Sequence, residues 1–479
     1  MTSSSTIKSS FKWSLMIQLS NQIFGFIITL ILARILSPSD FGIIGLISIF
    51  INLSKKITDG GLTSSLIRTQ DVTNRDFSTV FYFNLFCSTL LYFMLFFTAP
   101  FFASFFQVEI IENLIKVAGL TIIISAFTIT QSVQLNKNLN FKTQYKILVP
   151  SLVLSATAGI LAALYGFGVW SLVIKELVFS IVASIQLWYY SKWTPLWVFD
   201  KICLKIHFRY GYKLALTDLI TQLFNDSYKA IIGKIFSASQ LGFFTRAQSM
   251  QELPNQVVFN TVNRVLFPML SKVQNDDIKL KKIYSQIIQV VTFIVTPFLM
   301  LLYIVAKPLF IFLLTDKWLP AVPYFKILII SAMIAPLQPY LLNICKVKGR
   351  SDLVLKLSIV EYIFIFLSML AIIPFGITGL LWGLVAATLA KLLVAMVYAG
   401  RLIHYSIFEQ IASLKDGFIL SFIGYLFIAV LTQSRMLPVF TPFIELVVIT
   451  SIFCTVLFIF TWLFRPLSMN FIKQLLNKK

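Results

Sequence analysis

Runs of about twenty apolar residues recur from one end of this chain to the other, and they limit its fold more than any other feature. About twenty residues of α-helix cross the hydrocarbon core of a bilayer. Inside hydrocarbon the backbone must satisfy its own hydrogen bonds, so only helices and closed barrels span it. Barrel strands alternate polar and apolar residues, whereas the stretch 443–464 carries one charged side chain, Glu445. Only 12% of the 479 residues are charged, against about 25% in soluble chains, and the mean hydropathy is +0.86. A soluble multidomain enzyme and a disordered chain are both excluded. The fold class is an all-α polytopic membrane protein.

About fourteen transmembrane helices are expected, near residues 13–35, 41–66, 78–99, 115–135, 147–165, 169–190, 210–234, 241–271, 286–306, 322–345, 354–374, 377–399, 416–433 and 443–464. The second, seventh and eighth are unusually polar. The first is too long for a signal-peptide core and is expected to be retained. The net charge of +21 comes from 40 Lys and Arg against 19 Asp and Glu. It is sided: Lys137, Lys142 and Lys146 crowd one connection, and Lys192, Lys201, Lys205, Arg209 and Lys213 another, while 99–113, the turn at Gly166–Gly168 and the turn at 374–379 have none. By the positive-inside rule the basic set and both termini are cytoplasmic. This sidedness argues against a nucleic-acid protein. Cys87, Cys203, Cys345 and Cys454 lie far apart, and His207 and His404 are the only histidines, so no metal site is expected.

The chain repeats itself at an offset of 200 residues. The stretch Arg34 to Gly42 aligns with Lys234 to Gly242, each closing one span and opening the next with a capping serine. The glycine turns at Gly166–Gly168 and Gly376–Gly379 follow at an offset of about 210. An offset of six helices makes two parallel six-helix lobes, placed at 1–200 and 201–405, with two further helices and a tail in 406–479.

Polar stripes recur in the repeat: Ser14, Gln18, Asn21 and Gly25; Ser48, Asn52, Lys55, Lys56 and Asp59; Asp218, Gln222, Asn225, Asp226 and Lys229; Gln248, Glu252, Asn255, Gln256, Asn260, Asn263 and Arg264. Polar side chains at membrane depth face a bundle interior or a wet cavity, although interhelical hydrogen bonding explains the lone amides equally. A hydrated central cavity between the lobes is expected. Lys175, Glu176, Glu361 and Lys391 read as structural ion pairs.

The motifs LARILSPSDFG (32–42), FGVWSLV (167–173), LGFFTRAQSM (241–250), VLFPMLSKVQND (265–276) and KWLPAVPYFKIL (317–328) carry a family resemblance. In order and spacing they resemble the polysaccharide transporter family, the Wzx-type O-antigen and capsule-unit flippases of the multidrug/oligosaccharidyl-lipid/polysaccharide exporter superfamily. The resemblance implies translocation of polyprenyl-pyrophosphate-linked oligosaccharide from the cytoplasmic to the outer leaflet of the bacterial inner membrane, for O-antigen, capsule or exopolysaccharide. It also implies a polymerase and a chain-length regulator as partners.

A pyrophosphate headgroup needs cations, and the candidates are Arg264, Lys229, Arg246, Lys55 and Lys56. Arg246 reads equally as an interfacial arginine snorkelling to lipid. Gln18, Asn21, Gln22, Gln222, Asn225, Asn255 and Asn260 offer donors and acceptors to a sugar. Asp218, Asp226, Asp59 and Glu252 are candidates for proton or Na⁺ coupling. Asp218 lies three turns from Lys229 on nearly the same face and is also placed to balance that cation. No other cofactor is implied, and with no Walker A pattern there is no built-in ATPase. A multidrug or organic-cation antiporter of the same superfamily is the nearest rival, and a membrane polysaccharide polymerase a more distant one.

Overall fold

The computed structural model describes residues 4–370, 372–434 and 441–464, with the side chains of 4–8, 255–265, 267, 268, 272, 351, 372, 373 and 464 outside the described set. Among the described residues every regular element is helical. By packing, the chain divides into two compact units, Met1–Thr245 and Arg246–Lys479.

The first unit holds α1 (Ser4–Ile35), α2 (Pro38–Asp59), α3 (Leu62–Arg68), α4 (Asn74–Phe106), α5 (Ile110–Ala118), α6 (Leu120–Lys137), α7 (Phe141–Leu164), α8 (Trp170–Ser191) and α9 (Lys201–Ile235). Helix α10 (Ala238–Lys272) begins in it and runs into the second unit. There follow α11 (Asp277–Ile304), α12 (Ala306–Leu314), α13 (Ala321–Ile334), α14 (Leu337–Val347), α15 (Ser351–Leu370), α16 (Ile372–Leu402), α17 (Ile407–Gln433) and α18 (Pro442–Phe464).

Among the described residues, twelve segments are long and apolar enough to cross a membrane. The second expected span is among them, as Pro38–Arg68. The seventh and eighth, α9 and α10, are helices of 35 residues each but fall outside that set because of the polar residues along them. The expected count of fourteen is therefore not confirmed: it would need both of these polar helices to cross the membrane as well. Several helices outrun the expected spans: α9 begins at Lys201, not 210, and α17 at Ile407, not 416. Hydropathy detects only the apolar part of a helix whose charged end reaches into water.

Local sequence sets the helix starts. Ser37 caps α2 and pairs with Asp40 in a capping box: the backbone N–H of Ser37 donates to Asp40 Oδ2 at 2.8 Å, and that of Asp40 donates to Ser37 Oγ at 3.3 Å. Thr73 with Asp76 and Ser406 with Glu409 repeat the device at α4 and α17. At the equivalent point of the repeat, the Gln240 N–H donates to Ser237 Oγ at 3.2 Å. The two capped starts also cross each other. A Cβ on Gly42 would lie 1.8 Å from the Ala238 carbonyl oxygen, and one on Gly242 would lie 1.8 Å from that of Pro38. The contact is reciprocal under the 200-residue offset, and only glycine permits so close an approach. Of the repeated turns, Gly166, Gly168 and Gly376 all take positive φ.

In the first unit α7 pairs with α1 and α8, α6 with α4 and α8, and α9 lies along α2, α3 and α4. In the second, α11 packs on α17, and α16 on α13, α14 and α15. The α11–α17 seam is held by an ion pair at the starts of both helices, Lys281 Nζ to Glu409 Oε1 at 2.8 Å, and by neutral groups along its length. Tyr405 O–H donates to Ser285 Oγ at 3.1 Å, the Ser285 and Ser413 hydroxyls hydrogen-bond to each other at 3.1 Å, and Ser421 O–H donates to Thr296 Oγ1 at 3.2 Å. A Cβ on Gly417 would press on the Thr292 carbonyl oxygen at 2.5 Å. Close packing through small residues and hydroxyl bonds is the usual glue of membrane helices.

Candidate functional site

Helices α2 and α9 pack side by side in the first unit, and their polar stripes supply the charged groups. Residues 218, 222, 226 and 229 recur at three- and four-residue steps, so they share one face of α9. Lys229 Nζ donates to Asp226 Oδ1 at 2.7 Å, and the Gln222 amide donates to Asp226 Oδ2 at 2.6 Å. Asp226 is only 3% exposed, so both carboxylate oxygens are satisfied inside the protein. Across the helix pair, Lys56 Nζ stands 3.8 Å from Asp218 Oδ2, with side-chain exposures of 48% and 61%. Among the candidates, Asp218 thus stands opposite Lys56, and Lys229 is taken by Asp226. Each lysine takes the carboxylate within direct reach: Asp226 one turn back for Lys229, and Asp218 on the neighbouring helix for Lys56.

Other candidates lie around this core or apart from it. Lys55 is half-buried and feels the charge of Glu176 on α8, which itself pairs with Lys175 at 3.0 Å. Asp59 accepts a hydrogen bond from Thr63 Oγ1. Asn225 and Asn21 are exposed, Gln18 and Gln22 half-buried. Their helix, α1, packs against α7. In the second unit Arg246 is 4% exposed, with its guanidinium carbon 5.4 Å from the centre of the Trp318 ring, so its side chain is held inside protein and does not snorkel to lipid. Glu252 is exposed. The side chains of Asn255, Asn260 and Arg264 lie outside the described residues. Lys391 pairs with Glu361 between α16 and α15.

The arrangement places two lysines on adjacent helices, each held by a carboxylate, with one of the pairs open to water. Charge-assisted bonds from ammonium to phosphate are short and strong. On α9 itself the amides of Gln222 and Asn225 add neutral donors and acceptors. Among the described residues no cluster of His, Cys, Asp and Glu is placed to hold a metal ion.

One junction escaped the sequence reading. The ring of His207, 2% exposed on α9, has Nδ1 2.9 Å from Ser65 Oγ on α3 and Nε2 3.3 Å from Asp76 Oδ1 on α4. A serine, a histidine and an aspartate in line suggest a nucleophile by composition. Ser65 and His207 are buried, however, so no substrate reaches the hydroxyl, and the group ties three helices together. Beside it, the Ile202 and Cys203 amides and the Arg75 guanidinium hold the Asp200 carboxyl below its ordinary range. Partial burial, then the Asp76 and Asp200 carboxylates, push the Cys203 thiol up to about 12, so it is inert. Residues 131 and 142 apart in sequence gave no local signal for this cluster.

Known proteins share this fold and parts of this sequence. The lipid II flippase MurJ, in an inward closed conformation, superposes with a TM-score of 0.74 over 95% of this chain and 98% of its own, at 14% identity. The teichuronic acid biosynthesis protein TuaB of Bacillus subtilis is 26% identical over 299 residues, 62% of each chain. The succinoglycan biosynthesis transport protein ExoT of Rhizobium meliloti is 26% identical over 326 residues, 68% of this chain and 66% of that one. The chain thus spans under two thirds of the length of TuaB and about two thirds of that of ExoT. The profile of the polysaccharide biosynthesis protein family matches residues 31–323, more than half of the chain. This multi-pass membrane protein belongs to that family.

Proposed function

We propose that the protein is a flippase, not an enzyme, and moves polyprenyl-pyrophosphate-linked oligosaccharide units from the cytoplasmic to the outer leaflet of the inner membrane. The observation that carries this reading is the pair of carboxylate-held lysines, Lys56 and Lys229, on two packed helices. A doubly anionic headgroup crosses hydrocarbon only if cations meet it. Arriving pyrophosphate displaces Asp218 from Lys56 and Asp226 from Lys229. The freed carboxylates are then available to take up a proton or Na⁺ and return the site to rest. Arg264, Arg246 and Lys55 are assigned as further cations, and Gln18, Asn21, Gln22, Gln222, Asn225, Asn255 and Asn260 as sugar contacts. Asp59 and Glu252 are assigned as additional coupling groups. Lobes at 1–200 and 201–405 rock about the substrate, with both termini cytoplasmic. A polymerase and a chain-length regulator receive the exported unit.

Family membership supports the saccharide assignment. TuaB and ExoT are named for teichuronic acid and succinoglycan biosynthesis, and MurJ for flipping a lipid-linked substrate. The rival cation antiporter draws support from buried Asp226, since a buried carboxylate is an acceptor for organic cations. Its bonds from Lys229 and Gln222 weaken that role.

The test is the sidedness of lipid-linked saccharide in a strain lacking the gene, read with an impermeant glycosidase. Units confined to the cytoplasmic face, and released by the wild-type gene, are the expected result. Units on the outer face refute transport, and loss of drug efflux without any saccharide phenotype selects the antiporter.

A further inference from the structure

A second polar concavity lies in the first unit, away from the α2–α9 pair. The start of α1 and the turn between α6 and α7 enclose a cleft of about 560 Å³ lined by Ser9, Ser10, Trp13, Asn138, Asn140 and Lys142. It is a built junction: Ser10 O–H donates to the Leu139 carbonyl oxygen at 3.1 Å, and the Trp13 ring lies 5.4 Å from that of Tyr145. The two segments that form it contain no carboxylate, because Asp and Glu are absent from 1–39 and from 113–175, while Lys12, Lys142 and Lys146 stand on them. The positive-inside rule sets this end on the cytoplasmic side. From Trp13, exposed Phe24, Ile27 and Ile31 continue along the same face of α1 at helical spacing.

We propose that this cleft binds the phosphate of a lipid headgroup. Lys142 supplies the charge, the Trp13 indole N–H and the asparagine amides supply neutral donors, and the chain of the lipid lies along Phe24, Ile27 and Ile31. Basic pockets at the cytoplasmic ends of membrane helices hold anionic headgroups by this chemistry, and tryptophan and tyrosine occupy the depth where headgroup meets hydrocarbon. An apolar track leading out of a donor-lined cleft fits a lipid better than a soluble anion. The cleft and its chemistry are independent of the transport reading.

Native mass spectrometry of the full-length protein in detergent tests it, titrating phosphatidylglycerol, undecaprenyl pyrophosphate, diacylglycerol and inorganic pyrophosphate. The expected result is one phosphate-bearing lipid retained, with affinity about tenfold lower in Lys142→Gln and Trp13→Phe and unchanged in Lys192→Gln. Diacylglycerol is expected not to be retained. Preference for undecaprenyl pyrophosphate would make the cleft a receptor for a lipid-linked substrate, and equal binding of both lipids would make it a site for bulk anionic lipid. Either outcome supports the proposal. Lys142 is exposed, so its variant keeps the fold, and lipid retention unchanged by Lys142→Gln overturns the assignment. Inorganic pyrophosphate binding as tightly as the lipids overturns it as well.

Discussion

The α2–α9 contact and the α11–α17 contact are both lateral packings of long membrane helices, yet they differ in chemistry along their length. The α11–α17 seam confines its Lys281–Glu409 ion pair to the helix starts, and beyond them it joins Tyr405, Ser285, Ser413, Thr296 and Ser421 through neutral hydroxyls and lets Gly417 meet backbone. The α2–α9 surface places four charges on two helices and leaves one ion pair open to water. Hydroxyl bonds in a membrane bundle contribute little each, about 0.6 kcal/mol on average, and need no solvent. Buried ion pairs often stabilise less than apolar residues of the same volume. A bundle selected for stability alone has no use for Lys56 and Lys229, whereas one that must release and rebind an anion does.

The contrast can be broken by substitution, and the largest effect is expected at Lys229. Lys229→Ala removes the cation from buried Asp226, which costs roughly 3–5 kcal/mol of stability and abolishes export. Adding Asp226→Asn should restore the melting temperature and leave export absent, which separates folding from transport. Recovery of export in the double variant would assign Lys229 a structural role.

Lys56→Ala comes next. Its pair with Asp218 is exposed and 3.8 Å long, so stability should change by less than about 1 kcal/mol. Export should still fall about tenfold, the value of one charge-assisted bond to phosphate. A transport assay in proteoliposomes alongside a melting curve reads both.

Gly42→Ala acts on packing instead. Its Cβ would stand 1.8 Å from the Ala238 carbonyl oxygen, and forcing the two helix starts apart should cost about 1–3 kcal/mol. The reciprocal Gly242→Ala should cost about as much, and unequal effects would deny the symmetry of the crossing. The smallest change is expected for Ser421→Ala in the hydroxyl-bonded part of the α11–α17 seam, below about 1 kcal/mol with export intact.

Most of the fold was legible because the bilayer imposes it. Apolar runs gave the helices, Ser37 gave the start of one of them, and the repeat at Arg34 and Lys234 marked the two helix starts that meet at Gly42 and Gly242. The polar face of α9 was legible from spacing, and so was the pairing of Glu361 with Lys391. The partners of each lysine were not. Asp218 and Asp226 sit on one helix face, and which of them meets Lys229 depends on side-chain reach and on where α2 lies. Arg246 read equally as a cavity cation and as an interfacial arginine because it lies near the end of an expected span, but Trp318, far along the chain, covers it. The Ser65–His207–Asp76 junction was invisible for the same reason: its members meet only after α3, α4 and α9 have packed.

The most direct test of the central claim compares two lysines that both sit in ion pairs. In a strain lacking the gene, Lys229→Ala and Lys391→Ala are each expressed at wild-type level, and the leaflet of the lipid-linked saccharide is read with the impermeant glycosidase. If the α2–α9 charges carry the headgroup, units stay cytoplasmic with Lys229→Ala and reach the outer face with Lys391→Ala. Export by both variants, or by neither, would contradict it.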